Sequence, residues 1–344
     1  MPRRSFDAIV VGAGVVGAAT ARALARRNNS VALLEQFAIG HNRGSSHGAA
    51  RIFRFSYPDS LFVGMAMEAL PLWRELEAEV GEELLVTTGG LDIGKGVEKN
   101  AQALESCGAP FETMTGAEAM ARWPVISLAP DEPVLLQADG GITRADRCVR
   151  AFVTSAAAAG AEVMEHTKVL ELQVTNGRAE IVTTNETLVA PVVVVTAGAW
   201  ARDLLATAGI DLSVTPTRET VAYYKLDEVP PTLVDWGDPA VYALWSPGLG
   251  LKAGEHIAGP EADPDEDGAP DQSSNDRVSK WVASRYPTAE PTPHFTETCF
   301  YTNTADEQFV IERHGPIVVG SACSGHGFKF GPLTGKRLAD LALS

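Results

Sequence analysis

A glycine-rich turn that follows a short apolar run is the feature that most constrains the fold of this chain. The run 8–11 leads into a G-x-G-x-x-G turn made of Gly12, Gly14 and Gly17. The first glycine allows a sharp turn, the second lets backbone N–H groups approach a pyrophosphate, and the third lets the next helix pack closely on the sheet. This helix begins near Val15, so its positive end faces the phosphates. The pattern predicts a dinucleotide site that contains Gly12, Gly14, Val15 and Gly17.

A second apolar run, 31–34, ends on Glu35. Glu35 follows the turn at about the 20-residue spacing where an acidic side chain accepts hydrogen bonds from ribose hydroxyls. A carboxylate at this position repels a 2′-phosphate, which disfavours NADP. The turn alone leaves NAD and FAD open, and it also leaves open an ordinary βαβ unit that binds no nucleotide.

The length and charge of the chain bound its class. With 344 residues there is room for two packed domains or one large domain. The net charge of −16 argues against nucleic acid or an anionic membrane surface as a partner. No apolar stretch approaches the roughly 20 residues that cross a bilayer. We therefore expect a cytoplasmic enzyme with no nucleic-acid and no membrane partner.

The cysteines and the N-terminus are interpreted as ordinary structure. The four cysteines, at 107, 148, 299 and 323, form no C-x-x-C pair and no metal-ligand spacing, so neither disulfides nor a metal site is expected. Arg3 and Arg4 resemble a twin-arginine export signal. The apolar region of such a signal would contain Asp7 and the three glycines, so we interpret this segment as part of the mature fold.

Periodicity and turn residues predict an α/β fold that mixes a Rossmann-like nucleotide domain with an antiparallel-sheet domain. The predicted elements are a core helix over 62–80, an exposed helical stretch over 97–123, an amphipathic helix over 144–159, a hairpin over 162–174 and 179–183, a buried strand over 192–195, an antiparallel sheet over 213–303, a strand over 317–320 and a helix over 332–343. The Pro- and Asp-rich segment 261–276 is expected to be a solvated loop and not a functional acidic site.

Five ordered blocks together resemble the monomeric sarcosine oxidase and N-methyl amino acid oxidase family of FAD-dependent amine oxidases. They are the glycine turn, G-S-S-H-G-x-x-R-x-x-R at 44–54, G-L-K-x-G-x-H at 250–256, C-F-Y-T-x-T-x-D at 299–306 and S-G-H-G-F-K-F at 324–330. The resemblance implies FAD in a glutathione-reductase-type, DAO-like fold. It implies an FAD-binding domain formed by 1–86, 141–212 and 304–344, and a substrate domain formed by 87–140 and 213–303.

The resemblance also implies how FAD is held. It places a covalent flavin bond at Cys299, where His47 and Arg51 would supply the cationic field that favours the reactive thiolate. The N-terminus of the last helix would point N–H groups at the flavin pyrimidine. The further cofactor-binding residues that we expect are Glu35, Ser45, Val169, Gly198, Gly325, Gly327, Phe328 and Lys329.

The substrate side follows from the same resemblance. Lys252 would lie over the flavin where O2 is reduced, because a fixed positive charge stabilises the negative charge that develops on oxygen. Arg54 and Lys329 would bind the substrate carboxylate. The other expected catalytic residues are Arg51, His256, Tyr301 and His326, and Tyr242 and Trp245 are weaker candidates.

The resemblance implies an oxidase that converts an α-amino acid or N-methyl amino acid to an imine and reduces O2 to H2O2. Three alternatives stay open: a dehydrogenase of the same fold that passes electrons to a partner, the flavin subunit of a hetero-oligomeric amine oxidase, and a non-catalytic nucleotide-binding protein. A monomer is expected, with an oligomer left open. The sequence does not select among sarcosine, a bulkier N-methyl amino acid, a cyclic imino acid and a D-amino acid.

Overall fold

Two large sheets organise the chain. The computed structural model describes residues 3–257, 259–321 and 324–344. Numbered along the chain, its strands are Arg3–Ser5 (β1), Ala8–Val11 (β2), Val31–Leu34 (β3), Arg51–Phe53 (β4), Leu85–Thr87 (β5), Gly90–Gly94 (β6), Glu112–Thr115 (β7), Pro133–Gln137 (β8), Gly141–Thr143 (β9), Glu162–Met164 (β10), Val169–Thr175 (β11), Arg178–Thr183 (β12), Thr187–Ala190 (β13), Val192–Val195 (β14), Thr215–Tyr224 (β15), Thr232–Trp236 (β16), Val241–Ser246 (β17), Gly250–Glu255 (β18), Phe295–Asn303 (β19), Val310–His314 (β20) and Ile317–Ser321 (β21). Its α-helices are Val15–Ala25 (α1), Ser60–Val80 (α2), Val97–Ser106 (α3), Gly116–Arg122 (α4), Ala145–Ala158 (α5), Ala201–Ala206 (α6), Gln272–Arg285 (α7) and Gly331–Ala342 (α8).

The first sheet has six strands in the order β10-β3-β2-β14-β21-β20, parallel except for β20. Its central strands are apolar throughout because helices and a second sheet cover both faces. Ala8 and Val10 pack in one cluster with residues of α1 and α8. Ile9 and Val11 point to the opposite face, where they pack with residues of β11, β12 and α6. This is the Rossmann-like half of the predicted fold.

The second sheet has eight strands in the order β19-β15-β18-β17-β16-β6-β8-β7, antiparallel except for the pair β16 and β6. One face packs on α7 through Tyr224, Leu251 and Val278. Since successive side chains of a strand point to opposite faces, alternate residues of β15, β18 and β19 point the other way. Tyr223, Lys252, Glu297 and Cys299 thus lie on the face opposite α7.

Most of the predicted elements are confirmed. The core helix is α2, the amphipathic helix is α5, the buried strand is β14, and the closing strand and helix are β21 and α8. The sheet over 213–303 is confirmed, with α7 inserted between β18 and β19. Arg3 and Arg4 lie in β1, which pairs with β13, so the arginine pair is part of a sheet.

Three predicted elements differ from the structure. The solvated loop expected over 261–276 ends at Asp271, which caps α7, so its last five residues are helical. The helical stretch over 97–123 is wrong in its middle, because β7 interrupts it and pairs with β8. The second helix there begins at a capping box formed by Thr115 and Glu118. The hairpin is formed by β11 and β12 alone, with Asn176 and Gly177 at positive φ in its turn. Residues 162–164 form β10 and pair with β3 in the other sheet.

Among the described residues, no helix combines the length and the apolar character that crossing a membrane requires.

Candidate active site

The glycine turn joins β2 to α1 with the geometry that its sequence predicts. Gly12 has a φ of +94°, which favours glycine. A Cβ on Gly17 would lie 1.8 Å from the carbonyl oxygen of Gly12, so only glycine permits this close approach of helix and turn. Beside Gly14, a Cβ would meet only Ser46 within 4 Å. The turn therefore leaves room beside the N-terminus of α1.

Glu35 lies at the end of β3 and is buried. Its carboxylate accepts hydrogen bonds of 3.0 Å from the backbone N–H groups of Ala13 and Phe37. Nε2 of His41 lies 3.5 Å from the same carboxylate. These contacts fix the carboxylate at the wall of a cavity.

This first cavity has a volume of about 360 Å³ and extends from the glycine turn to the C-terminal loop. Most of the expected cofactor-binding residues line it: Gly12, Gly14, Val15, Glu35, Ser45, His47, Arg51, Val169, Gly198, Cys299, Gly325, Gly327 and Phe328. Gly17 is not part of its wall, because it packs against the turn, and Lys329 lies in a neighbouring cavity.

The second cavity has a volume of about 410 Å³. Its wall includes the expected catalytic and substrate-binding residues Arg51, Arg54, Tyr242, Lys252, His256, Tyr301, His326 and Lys329. Trp245 is not in this wall and packs beside Ala50, Ile142 and Leu244. The two cavities share Arg51, Cys299, Tyr301, Gly325 and Phe328, so they meet at these residues.

Two buried lysines lie in the second cavity. Burial and the nearby Arg51 guanidinium lower the pKa of Lys252 to about 7. Burial and Arg54 hold the pKa of Lys329 well below its ordinary value. Nζ of Lys329 donates to the Tyr57 hydroxyl at 2.7 Å and to the His326 carbonyl oxygen at 2.9 Å. An anion that enters the cavity would favour the protonated form of both lysines.

Arg54 is held in the wall by aromatic rings and one carboxylate. Its guanidinium lies 4.5 Å from the ring centroid of Tyr57 and 5.1 Å from that of Trp236. Nη1 lies 3.4 Å from Oδ1 of Asp92, which also accepts a hydrogen bond of 3.1 Å from the Trp236 indole. Asp92 could not be singled out from the sequence, because Arg54 and Trp236 are distant from it in the chain.

Three buried histidines surround the junction of the cavities. Burial and Arg51 lower the pKa of His47 to about 4. Burial, with Arg54 next, lowers the pKa of His256 to about 4, and burial with Lys329 lowers that of His326 to about 3. These imidazoles are neutral near pH 7, so they can donate or accept hydrogen bonds without adding charge to the site.

Some residues of the first cavity have no counterpart in the sequence-based predictions. Oγ of Ser46 accepts a hydrogen bond of 3.1 Å from the Val15 N–H, so Ser46 contacts the start of α1. Asp265, in the Pro- and Asp-rich segment, accepts a hydrogen bond of 2.7 Å from the Trp200 indole and lines the cavity with Lys168. The segment is largely exposed, as predicted, but it also contributes to the cavity wall.

The residues present fit an FAD molecule. The cavity joins a glycine turn and a buried acid to a second, cation-lined cavity, as an extended dinucleotide with a reactive ring requires. Nε2 of His47 and Oγ1 of Thr302 are buried, and within the described part of the chain neither has a hydrogen-bond partner. Both residues belong to or adjoin the first cavity, so these atoms are available to a bound cofactor.

Comparisons with known proteins agree with this geometry. The profile of a family described as "FAD dependent oxidoreductase" (DAO) matches residues 7–341. The chain is 34% identical to a peroxisomal sarcosine oxidase of Homo sapiens, over 98% of this chain and 92% of that protein. It is 32% identical to a monomeric sarcosine oxidase of Bacillus sp. (strain B-0618), over the same shares of the two chains.

Among solved structures, NikD, described as an unusual amino acid oxidase essential for nikkomycin biosynthesis, superposes with a TM-score of 0.89. The identity is 29%, over 99% of this chain and 94% of that chain. The mixed α/β fold with its two large sheets is thus the fold of these flavoenzymes. With a family match over nearly its whole length, this chain belongs to the FAD-dependent oxidoreductase (DAO) family.

Proposed function

We propose that this protein is an FAD-dependent oxidase that acts on an α-amino acid or N-methyl amino acid, converts its amine to an imine and reduces O2 to H2O2. The observation that carries the proposal is the pair Arg54 and Lys329 in the second cavity, beside the residues that this cavity shares with the first. Two cations in one buried pocket suit a carboxylate, and their position next to the flavin site suits oxidation of the carbon beside it.

The first cavity would hold FAD. The N–H groups of the glycine turn and of α1 would contact its pyrophosphate, and Glu35 would accept from ribose hydroxyls. We propose a covalent bond between Cys299 and the flavin. Cys299 lies at the junction of the cavities, near Arg51 and Lys252, and such cations stabilise a thiolate.

The second cavity would bind the substrate carboxylate. Nη1 of Arg54 donates to the Ser56 carbonyl oxygen at 2.5 Å and lies 3.4 Å from Asp92, so its Nε and Nη2 would offer the two parallel N–H groups to the carboxylate. The carboxylate would favour the protonated form of Lys329, opposing the effect of burial and Arg54 on its pKa. His256, Tyr301 and His326 close the same pocket around the substrate.

The reaction consists of two half-reactions. In the first, the substrate loses a hydride equivalent from carbon and a proton from nitrogen, and water hydrolyses the resulting imine. In the second, O2 gains two electrons and two protons to give H2O2. FAD, when bound, is the two-electron acceptor that links the two. Protonated Lys252 would stabilise the charge that develops on O2.

We further propose that the protein is a cytoplasmic monomer whose partners are the amino acid and O2. Among the described residues, Cys107 and Cys148 are free cysteines, in keeping with a reducing compartment. The two domains would divide as the sequence indicates, with 1–86, 141–212 and 304–344 binding FAD, and 87–140 and 213–303 binding substrate. The six-stranded and eight-stranded sheets fall on opposite sides of this division.

The test is an absorption spectrum of the purified protein combined with an amino-acid panel. We expect a flavin spectrum, colour that stays with the acid-precipitated protein, and H2O2 formation with one class of α-amino or N-methyl amino acid. Activity should rise with pH, because only the neutral amine reacts.

Colourless protein that takes up no FAD would exclude the proposal. Reduction by substrate followed by slow reoxidation in air would instead identify a dehydrogenase that passes electrons to a partner. An isolated flavoprotein that oxidises no amine in the panel would point to a flavin subunit that needs its partner chains.

A further inference from the structure

A carboxylate that the proposed mechanism does not use lies beside Lys252. Glu297 on β19 points to the same sheet face as Cys299 and Tyr301, which follow it at intervals of two residues. Its Oε1 accepts a hydrogen bond of 2.5 Å from the Tyr223 hydroxyl and lies 3.9 Å from Nζ of Lys252. Glu297 is therefore fixed by Tyr223 and directed at the lysine.

The neutral imidazole of His47 and a second cation, Arg51, also approach the same carboxylate. Nδ1 of His47 lies 3.7 Å from Oε2 of Glu297. A Cβ on Gly48 would lie 3.4 Å from both Nη1 of Arg51 and Oε1 of Glu297, and 3.9 Å from Nζ of Lys252. The cations Arg51 and Lys252 and the Glu297 carboxylate thus converge on one point beside Gly48.

The protonation of Lys252 depends on the charged groups that surround it. Lys252 is 2% exposed, and burial and the guanidinium of Arg51 both favour its neutral amine. The charged and titratable groups that face it come from five elements: Arg51 on β4, His47 in the loop before it, Asp146 on α5, Tyr223 on β15, and Glu297 and Cys299 on β19. Among the groups that raise the pKa of Lys252, the Cys299 thiolate comes first, but the proposed bond to the flavin would remove its charge; Glu297 comes next and Asp146 third.

We propose that Glu297 is the counter-charge that keeps Lys252 an ammonium ion and directs it into the second cavity, so that the O2 half-reaction depends on Glu297. The proposal rests on the proposed function, in which O2 is reduced at Lys252. Glu297 acts through Lys252 and is a positioning residue. A neutral amine cannot stabilise charge on oxygen, so loss of the Glu297 charge affects the second half-reaction and leaves the first largely unchanged.

The first experiment measures the titration of Lys252 in the purified full-length protein with its bound cofactor. Trace acetylation at a series of pH values, followed by peptide mass spectrometry, reports the neutral fraction of this amine. We expect Glu297→Gln to lower the midpoint by about one to two pH units. Tyr223→Phe keeps the carboxylate and removes its anchor, so a smaller downward shift is expected.

Glu255→Gln is the matched control. Glu255 is also buried on β18, but it points to the opposite sheet face and bonds to Ser274 and Arg277. This variant should leave the Lys252 midpoint unchanged. A Glu297→Gln midpoint equal to that of the unmodified sequence, or a shift as large in Glu255→Gln, would overturn the proposal.

The second experiment separates the half-reactions by stopped flow. At a pH between the two midpoints, reoxidation of the reduced Glu297→Gln protein by O2 should slow by about tenfold, whereas anaerobic reduction by substrate should change by less than about threefold. Equal losses in both half-reactions contradict the proposal. The acetylation readout needs no substrate, so it tests Glu297 even where no amino acid is oxidised, a result that would count against the proposed function alone.

Discussion

At the scale of single residues, Arg54 gives the sharpest test of the substrate class. We expect Arg54→Leu to raise KM for the amino acid by about 10- to 100-fold, because hydrogen bonds to a charged group contribute about 1.5–3 kcal/mol. The flavin spectrum should stay unchanged, since Arg54 lines the second cavity and not the first. Steady-state kinetics with the best substrate of the panel provide the measurement.

Arg54→Lys is the control for this prediction. It keeps the positive charge but loses the planar fork, so KM should rise less than in the leucine variant. The assignment is wrong where Arg54→Leu binds flavin and shows the KM of the unmodified protein. The Asp92 carboxylate and the Trp236 ring would remain in both variants, so differences in KM report the guanidinium itself.

At the scale of elements, the segment 259–270 between β18 and α7 contributes Asp265 to the wall of the first cavity. Arg218 of β15 holds one side through the Glu266 carbonyl oxygen at 2.7 Å. Asp265 holds the other through the Trp200 indole. In a Cys299→Ala background, where the flavin is not linked, Asp265→Ala should speed FAD dissociation by about fivefold, the loss of roughly one hydrogen bond. Fluorescence recovery of released FAD measures the rate.

Asp267→Ala serves as the comparison for this segment. Its side chain is 94% exposed and contacts only Arg43 among the described residues, at 3.1 Å. Surface ion pairs of this kind contribute little, so its dissociation rate should match that of the background. If both aspartate variants release FAD at the background rate, the segment does not retain the cofactor.

Individual elements show which parts of the fold can be predicted from the sequence. Three glycines and continuous apolar runs predict β2, α1, β3 and β14. A tight turn and a strand buried on both faces each leave a recognisable pattern in consecutive residues. Strand β7 was missed because its residues are mostly exposed, and only its pairing with β8 defines it. The part played by Glu297 could not be predicted either. Its partners Tyr223 and Lys252 reach it only through the register of β19, β15 and β18.

At the scale of the whole molecule, three neutral histidines lie where the six-stranded and eight-stranded units meet. The pKa values of His47 and His256 are lowered to about 4 and that of His326 to about 3. In the unfolded chain the histidine pKa is about 6.5. Between these values the unfolded chain binds more protons than the folded protein, so stability is full above about pH 6.5 and is lost as the pH falls towards 4.

The expected loss is large because the histidines act together. Each contributes about 1.4 kcal/mol per pH unit within that window. Urea unfolding followed by circular dichroism at pH 7.5, 6.0 and 5.0 should show a midpoint that falls steeply below pH 6. His326→Gln should flatten this dependence, whereas His314→Gln, at an exposed position on β20, should not. A midpoint that is constant from pH 7.5 to 5.0 would mean that these imidazoles take up protons in the folded protein over the same pH range as in the unfolded chain, so that they are charged at pH 5.0. The site would then carry additional positive charge next to Arg51 and Lys329.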